Sequence, residues 1–337
     1  MTESLPAPTG GVDAYCSSGP SPTPRLHLLG VGAVGRAYLQ LHPEALVVGA
    51  SDSRGTALDP HGLDIAALVR EKAAGRSVVS APEFLHTWDD DVQPSATACV
   101  VVDVTPTDFA RGPADATRIR DWLARGQAVA LASKHALAAD PDLLTHPRLG
   151  ANAVLGGTGA ALQRELPDLR ASWTEVALAG NASTTTIITC IEDGGTFADG
   201  LAMADRAGVL EPNPELDLRG ADAAVKVALV VGALTGNPVD PATVDVQDLR
   251  EVPESVLRET ARSGRTTRLV GRADRVGPPS LRYEAVDRTH PLAVGPEGVC
   301  YAYARDDDWR VHRGTGVGAP ATARALASDI ERLWRLA

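Results

Sequence analysis

LHLLGVGAVGRAYLQLH, residues 26–42, runs from a short apolar strand through a glycine turn into a helix. Gly30, Gly32 and Gly35 form GxGxxG directly between the two elements. The spacing has a mechanical meaning: Gly30 permits the tight turn, Gly32 lets backbone approach a pyrophosphate, and Gly35 allows close helix–strand packing. A helix N-terminus here, with the turn residues Val31, Ala33 and Val34, offers free N–H groups to phosphates. Asp52 follows at the end of the next strand and fits the adenosine ribose of NAD. Arg54, beyond Ser53, fits the 2′-phosphate of NADP. Asp52 fits a cap of the following turn equally well.

The same alternation continues outward. ALVVGASDS (45–53), ACVVVDVTP (98–106) and QAVALASK (127–134) read as strands. HGLDIAALVREKAAG (61–75) and DATRIRDWLARG (115–126) read as helices, the second stopped by Gly126. Strands alternating with helices imply a Rossmann-type parallel sheet with right-handed crossovers. The pattern changes after about residue 150. NAVLGGTGAALQRELPDL (152–169) is a glycine turn entering a helix, and TFADGLAMADRAGVL (196–210) is another helix. RLVGRADRVG, SLRYEAVD, GVCYAYARD and WRVHRG alternate like antiparallel strands. The expected organisation is a leader (1–24), a dinucleotide-binding domain (25–150), an α+β substrate and dimerisation domain (151–312) and a C-terminal return to the first domain (313–337).

Length and composition agree with a soluble globular chain of 337 residues and more than one domain. Aromatics are 4%, so the core must be mainly aliphatic. A net charge of −11 argues against non-specific nucleic-acid binding and against an anionic membrane surface. No apolar run is long enough for a transmembrane helix. The leader, rich in Pro, Ser, Thr and Gly, has no apolar region of a secretory signal. Cys16, Cys99, Cys190 and Cys300 show no metal or redox spacing and read as reduced thiols of a cytoplasmic protein.

GADAAVKVALVVGAL (220–234) reads as a buried helix with one lysine in its middle. Asp222 precedes Lys226 by four residues, so both face the same way. A buried ammonium is costly unless it is paired or used. An ordinary i,i+4 bridge and a proton donor to a carbonyl are both consistent with this placement. Lys134 is a second cation, at the carboxyl end of a parallel strand, where ligands bind in such sheets. His135 reads as a packing or surface residue and His290 as a turn residue.

In their shared order, LLGVGAVGRA, SDSRGTALDPHGLDIAALVREK, VVVDVTPTD, ASKHALA, the block from GNASTTT to GADAAVK, HPLA (290–293) and GTGVGAPATARALASDI resemble the homoserine dehydrogenases of the short form, without a regulatory domain. The resemblance implies reversible hydride transfer between a nicotinamide cofactor, NADP or NAD, and the C4 aldehyde of aspartate 4-semialdehyde, giving homoserine. It implies Lys226 as acid/base, Asp222 orienting substrate or a water, and Lys134 near nicotinamide and substrate. Glu211 would hold the substrate amino group, with Asp217, Gly157 and Thr184 in the same pocket. Thr105, Pro106 and Gly316 would join the cofactor site, the 314–318 turn closing over it. A homodimer through 171–200 and its paired sheet is also implied, with small-molecule partners only.

Departures from the family pattern cluster around the substrate pocket. Ala182 stands for Gly, Thr185 for Asn, Ser133 for Asn, Asn213 for Asp, Asn152 for Glu and Ala160 for Pro. The region around Asn152 holds a sodium ion in the family, and losing the Glu weakens the case for a metal here. A related reductase of a different amino-acid semialdehyde is the alternative reading.

Overall fold

The structure, a computed structural model, describes residues 23–80, 85–87, 94–95, 98–210, 214–305 and 308–336. Chain order opens with β1 (Arg25–Leu29), the helix Ala33–Leu41, β2 (Leu46–Asp52), β3 (Gly55–Leu58), the helix Ile65–Ala73 and β4 (Leu85–Thr87). Then come β5 (Val100–Asp103), the helix Gly112–Ala124, β6 (Ala128–Leu131) and β7 (Leu149–Gly150). These strands form one seven-stranded sheet in the order β4-β3-β2-β1-β5-β6-β7. Strands β2, β1, β5, β6 and β7 are parallel, and β3 and β4 add an antiparallel edge. The chain leaves β1 for β2 on one side and returns to β5 on the other. The crevice at the carboxyl ends of β1 and β5 is therefore the topological switch point where ligands bind.

The four parallel strands expected from sequence are present. The outlying strands β3, β4 and β7, of four, three and two residues, are too short for a period to show.

The second half is built on β8 (Glu175–Ala179), β9 (Asp245–Val246), β10 (Arg265–Asp274), β11 (Ser280–Asp287), β12 (Gly298–Arg305) and β13 (Asp308–Thr315). They form a mixed sheet in the order β13-β12-β8-β10-β11-β9. The expected antiparallel pairs appear as β10–β11 and β12–β13, with β8 between β10 and β12. One face of this sheet carries Val176, Leu178, Leu269, Val299, Tyr301 and Tyr303 into a large core shared with the helices Gly159–Ser172 and Ala221–Thr235. The second of these helices approaches β10 so closely that a Cβ on Gly271 would lie 2.5 Å from Val227 Cγ2. That tight seat explains its nearly all-apolar sequence.

The final helix, Ala319–Trp334, returns to the parallel sheet. Ala323, Leu326, Ile330 and Leu333 share a core with Leu26, Leu39, Val100 and Ala130. Asp329 on this helix is fully buried and accepts the Asn152 backbone N–H at 2.7 Å. No helix among the described residues is long and apolar enough to cross a membrane. Cys190 and Cys300 are free and buried. Cys99 is disulfide-bonded, which corrects the expectation of four reduced thiols.

Candidate active site

Gly30 turns at φ +87°, and a Cβ on it would lie 3.0 Å from Val104 O. A Cβ on Gly35 would lie 2.9 Å from Gly30 O. Both contacts are with backbone, so neither position tolerates a side chain without movement. A Cβ on Gly32 would meet nothing within 4 Å, so the turn is open on that side. Gly32 also caps the helix Ala33–Leu41 with no side-chain hydrogen bond, leaving the first-turn N–H groups available. Val31 is buried and anchors the turn. This arrangement fits a pyrophosphate.

Asp52 does not face outward. Its Oδ1 accepts from Arg54 N and Ser77 Oγ, both at 2.9 Å. Its Oδ2 accepts from Lys72 Nζ at 2.7 Å and Val78 N at 2.9 Å. Burial opposes its ionised form, yet Lys72 and these N–H and O–H donors hold the carboxyl below its ordinary value. Four donors satisfy the carboxylate, so the turn-capping alternative is the one taken. Ser53 and Arg54 are exposed in that turn.

At the end of β5, Asp103 is buried and organises two loops. Its Oδ1 accepts from Thr105 N at 3.0 Å and Thr105 Oγ1 at 2.6 Å, and its Oδ2 accepts from Ser133 Oγ at 2.7 Å. The Lys134 backbone N–H donates to Thr107 Oγ1 at 3.3 Å. Thr105 and Pro106, expected at the cofactor, are thus fixed beside Gly30 and beside Lys134.

Lys134 reaches from this edge to the second half of the molecule. Its Nζ lies 3.4 Å from Asp222 Oδ1, while Lys226 Nζ lies 2.8 Å from Asp222 Oδ2. Lys226 Nζ also donates to Gly180 O at 3.0 Å. Its third donor has no partner among the described residues. The Asp222 side chain is 46% exposed and that of Lys226 only 15%. Burial opposes the Asp222 charge, but the Lys226 and Lys134 ammonium groups hold its carboxyl well below the usual carboxylate range. Burial likewise pulls Lys226 down, and Asp222 more than offsets it, so Lys226 titrates above an ordinary lysine. It is an ammonium at neutral pH. The two cations and the shared carboxylate lie where the carboxyl edge of the parallel sheet meets the Ala221–Thr235 helix.

Residues 171–330 match the family model described as homoserine dehydrogenase. The homoserine dehydrogenase of Methanocaldococcus jannaschii is 25% identical over 91% of this chain and 97% of its own length. The chain is similar to the homoserine dehydrogenases along nearly all of its length. An NAD(+)-dependent homoserine dehydrogenase of Pseudomonas canavaninivorans is also 25% identical, over 91% of this chain and 95% of that one. Among solved structures, a putative homoserine dehydrogenase from Archaeoglobus fulgidus superposes with a TM-score of 0.72 at 21% identity, covering 93% of this chain and 99% of that one. A hyperthermophilic archaeal homoserine dehydrogenase in complex with NADPH gives 0.70 at 21% identity, covering 92% and 97%. These two likenesses carry the fold, a Rossmann-type sheet with an appended α+β half.

Within this family frame the remaining expected residues fall into place unevenly. Asp217 is buried and accepts Ser183 Oγ at 2.9 Å. Thr184 is wholly buried, and its N–H and hydroxyl both donate to Asn181 Oδ1, the cap of the helix Ala182–Glu192. These bonds fix the start of that helix. Thr185 is buried on the same helix. Glu211 and Asn213 lie outside the described residues. Gly157 turns at φ +88°. Gly316 packs on the neighbouring residue, where a Cβ would lie 2.1 Å from Gly156 Cα.

The turn around Asn152 is closed by its own hydrogen bonds. Asn152 O accepts Gly157 N, Asn152 Oδ1 accepts Ala160 N, and Leu155 O accepts both Thr158 N and Thr158 Oγ1. Among the described residues no cluster of three metal-ligating side chains exists.

His135 is buried, with Nε2 2.8 Å from Asp115 Oδ2 and Nδ1 accepting Asp108 N. His290 Nδ1 accepts Leu292 N within its turn. Both are structural. Reading the sequence alone missed Asp103 and Gly180. Asp103 had a signal, a carboxylate closing an apolar strand at its carboxyl end. Gly180 acts through its carbonyl, which no residue type announces.

Proposed function

We propose that the chain catalyses reversible hydride transfer between L-homoserine and L-aspartate 4-semialdehyde with NADP or NAD, Lys226 serving as the acid/base. The observation that carries this is Asp222 shared by Lys226 and Lys134 at the carboxyl edge of the nucleotide sheet. When bound, the nicotinamide cofactor supplies or accepts the hydride. The Gly30–Gly35 turn, with Val31, Ala33 and Val34, would hold its pyrophosphate. The 52–54 turn would lie at its ribose, and Thr105, Pro106, Lys134 and Gly316 near its reactive end.

The chain's own residues do the proton work. As the aldehyde is reduced, charge develops on its oxygen, and a positioned ammonium lowers that barrier. Lys226 has one donor to offer, because Asp222 and Gly180 O occupy the other two. It passes a proton to the forming alkoxide and, in oxidation, takes one from the alcohol. Lys134 adds a second positive charge, and Asp222 keeps both cations oriented. The substrate ammonium calls for carboxylates, which Glu211 and Asp217 would supply.

The domain division proposed is 25–150, 151–312 and 313–337. It is supported by one sheet built within the first range and by the return of the last helix to it. We also propose a cytoplasmic homodimer. The outer edge of the mixed sheet, where Trp309 and Val311 are exposed, supports such a pairing, and sedimentation velocity tests it.

The deciding experiment is a steady-state assay with homoserine and each cofactor, on wild type and Lys226→Ala. Turnover by the wild type and a loss of about 10²- to 10⁴-fold in kcat for the variant are expected. Wild-type inactivity with both cofactors overturns the proposal. A panel of other hydroxy amino acids then tests the alternative substrate.

A further inference from the structure

A continuous chain of contacts runs from Asp222 to the turn beside Gly30, and Asp103 stands in the middle of it. Asp103 closes β5 at the switch point, paired with Leu29 of β1 on one side and Leu131 of β6 on the other. It is buried. Asp222 holds Lys134 Nζ at 3.4 Å. Ser133, the residue before that lysine, is buried and donates its hydroxyl to Asp103 Oδ2 at 2.7 Å. Asp103 Oδ1 accepts Thr105 N at 3.0 Å and Thr105 Oγ1 at 2.6 Å. Between them the Val104 carbonyl is the wall against which Gly30 turns, 3.0 Å from where a Cβ would stand.

A buried carboxylate is costly unless donors meet it. Here three uncharged donors do so, and they come from two loops, those that follow β5 and β6. A carboxylate is acceptor-only, so one group serves both loops, whereas an amide would turn N–H groups toward one of them. What this burial secures is a fixed distance between the two loops. The other tie, from the Lys134 backbone N–H to Thr107 Oγ1, is long at 3.3 Å. The far end of the lysine is held only at 3.4 Å, with its side chain 23% exposed. The firm constraint on Lys134 is therefore at its root. Ser133 stands where the family pattern has Asn, and its hydroxyl is committed to Asp103.

We propose that Asp103 is a positioning residue for Lys134: bonded to Ser133 and Thr105 together, it fixes the root of the lysine against the cofactor turn, so that Nζ reaches Asp222 from a set place. No proton passes through Asp103. With the link cut, the 132–134 turn parts from the 104–107 turn and Lys134 loosens from Asp222. This rests on the proposed place of Lys134 near nicotinamide and substrate, but not on which aldehyde is reduced.

Ser133→Ala cuts the link and leaves Asp103 both its bonds to Thr105, so the variant is expected to fold, as a cooperative thermal melt verifies. The kcat/KM for homoserine is measured for wild type, Ser133→Ala, Lys134→Met and the double variant. Ser133→Ala is expected to lose about 5- to 30-fold with the lysine present and less than about twofold without it. In an Asp103→Asn background the same change is expected to cost less than about twofold, because the link is already cut. Acetylation by acetic anhydride, read by mass spectrometry, follows Lys134 itself, with Lys72, bonded to Asp52, as the internal reference. Relative to Lys72, Lys134 is expected to react about 2- to 5-fold faster in Ser133→Ala, the worth of one loosened ion pair. An equal loss with and without Lys134 overturns the proposal, since a general effect on the fold would give it. So does an unchanged kcat/KM, an unchanged acetylation ratio, or a full Ser133 effect in the Asp103→Asn background. Should Asp103→Asn fail to fold, the Lys134 cycle and the acetylation ratio decide. Should the wild type fail to oxidise homoserine, the functional reading falls by itself, and the acetylation ratio still decides whether Asp103 and Ser133 hold the lysine.

Discussion

Asp222 and Lys226 form an ion pair of 2.8 Å one helical turn apart, inside a helix whose other central residues are apolar. The carboxylate raises the lysine above its ordinary pKa and also holds Lys134. Replacing Asp222 by Asn should release both cations. Burial then acts on Lys226 unopposed, and its pKa falls. The alkaline limb of homoserine oxidation should move to lower pH, while kcat/KM drops about 10- to 100-fold from misplaced groups. A pH–rate profile of Asp222→Asn checks both effects, and an unmoved limb would separate Asp222 from the lysine's titration.

Asp52 has no lone pair left for a ribose diol, because Lys72, Ser77, Val78 and Arg54 occupy both its oxygens. Arg54 is exposed in the adjoining turn. The expected preference is NADP over NAD, by about tenfold or more in kcat/KM, with Arg54→Gln reducing it through KM for NADP. Steady-state kinetics with both cofactors measure this, and an NAD preference in the wild type would show that the turn rearranges on binding.

Asp329 ties the last helix to Asn152, and burial pushes its carboxyl up to about 6. The folded state binds this proton more tightly than the unfolded chain, whose carboxyl keeps its ordinary value of 3.8. The ionised form therefore costs stability above pH 6, and the cost disappears as pH falls toward 4. Asp329→Asn should be more stable than wild type at pH 8, by up to about 3 kcal/mol, with the gain gone near pH 4. Urea denaturation at the two pH values tests it.

His27 has the opposite sign. It is fully buried, with Nε2 2.8 Å from Ser51 Oγ and Nδ1 accepting Ser95 N at 2.9 Å. Burial lowers its pKa from 6.5 to about 4. Its contribution is complete above pH 6.5 and is lost as pH falls through 4, about 3 kcal/mol in all. Over this window the His27 loss and the Asp329 gain oppose one another. Asp329→Asn should therefore show a steeper acid loss of stability than wild type, and His27→Gln a shallower one.

A packing prediction follows from the same ring. A Cβ on Gly49 would lie 2.2 Å from His27 Nδ1. Gly49→Ala must push the imidazole off Ser95 or part β1 from β2. A loss of about 2 to 4 kcal/mol is expected by chemical denaturation.

The parallel sheet was legible because each βα unit announces itself by period and by glycine. The Lys226–Asp222 pair was legible because four residues make one helical turn. Lys134 was legible as a strand end, but its arrival on Asp222 was not, since that contact exists only after the two halves pack. The closure of Asp52 was equally hidden. Its partners Lys72, Ser77 and Val78 lie 20 to 26 positions further along, and no local rule connects them. Tyr301 was visible as one of an alternating set on β12, where its place in the core opposite Leu178 depends on the register with β8.

The covering of the parallel sheet by residues 319–334 has a consequence for biosynthesis. Strand β7 leaves the ribosome at residue 150, and the helix that seals Leu26, Leu39 and Val100 emerges some 170 residues afterwards. At ordinary elongation rates the nascent nucleotide fold waits about 10 to 30 s with an aliphatic face bare. During that interval it is a natural client for whatever shields hydrophobic surface in the cell.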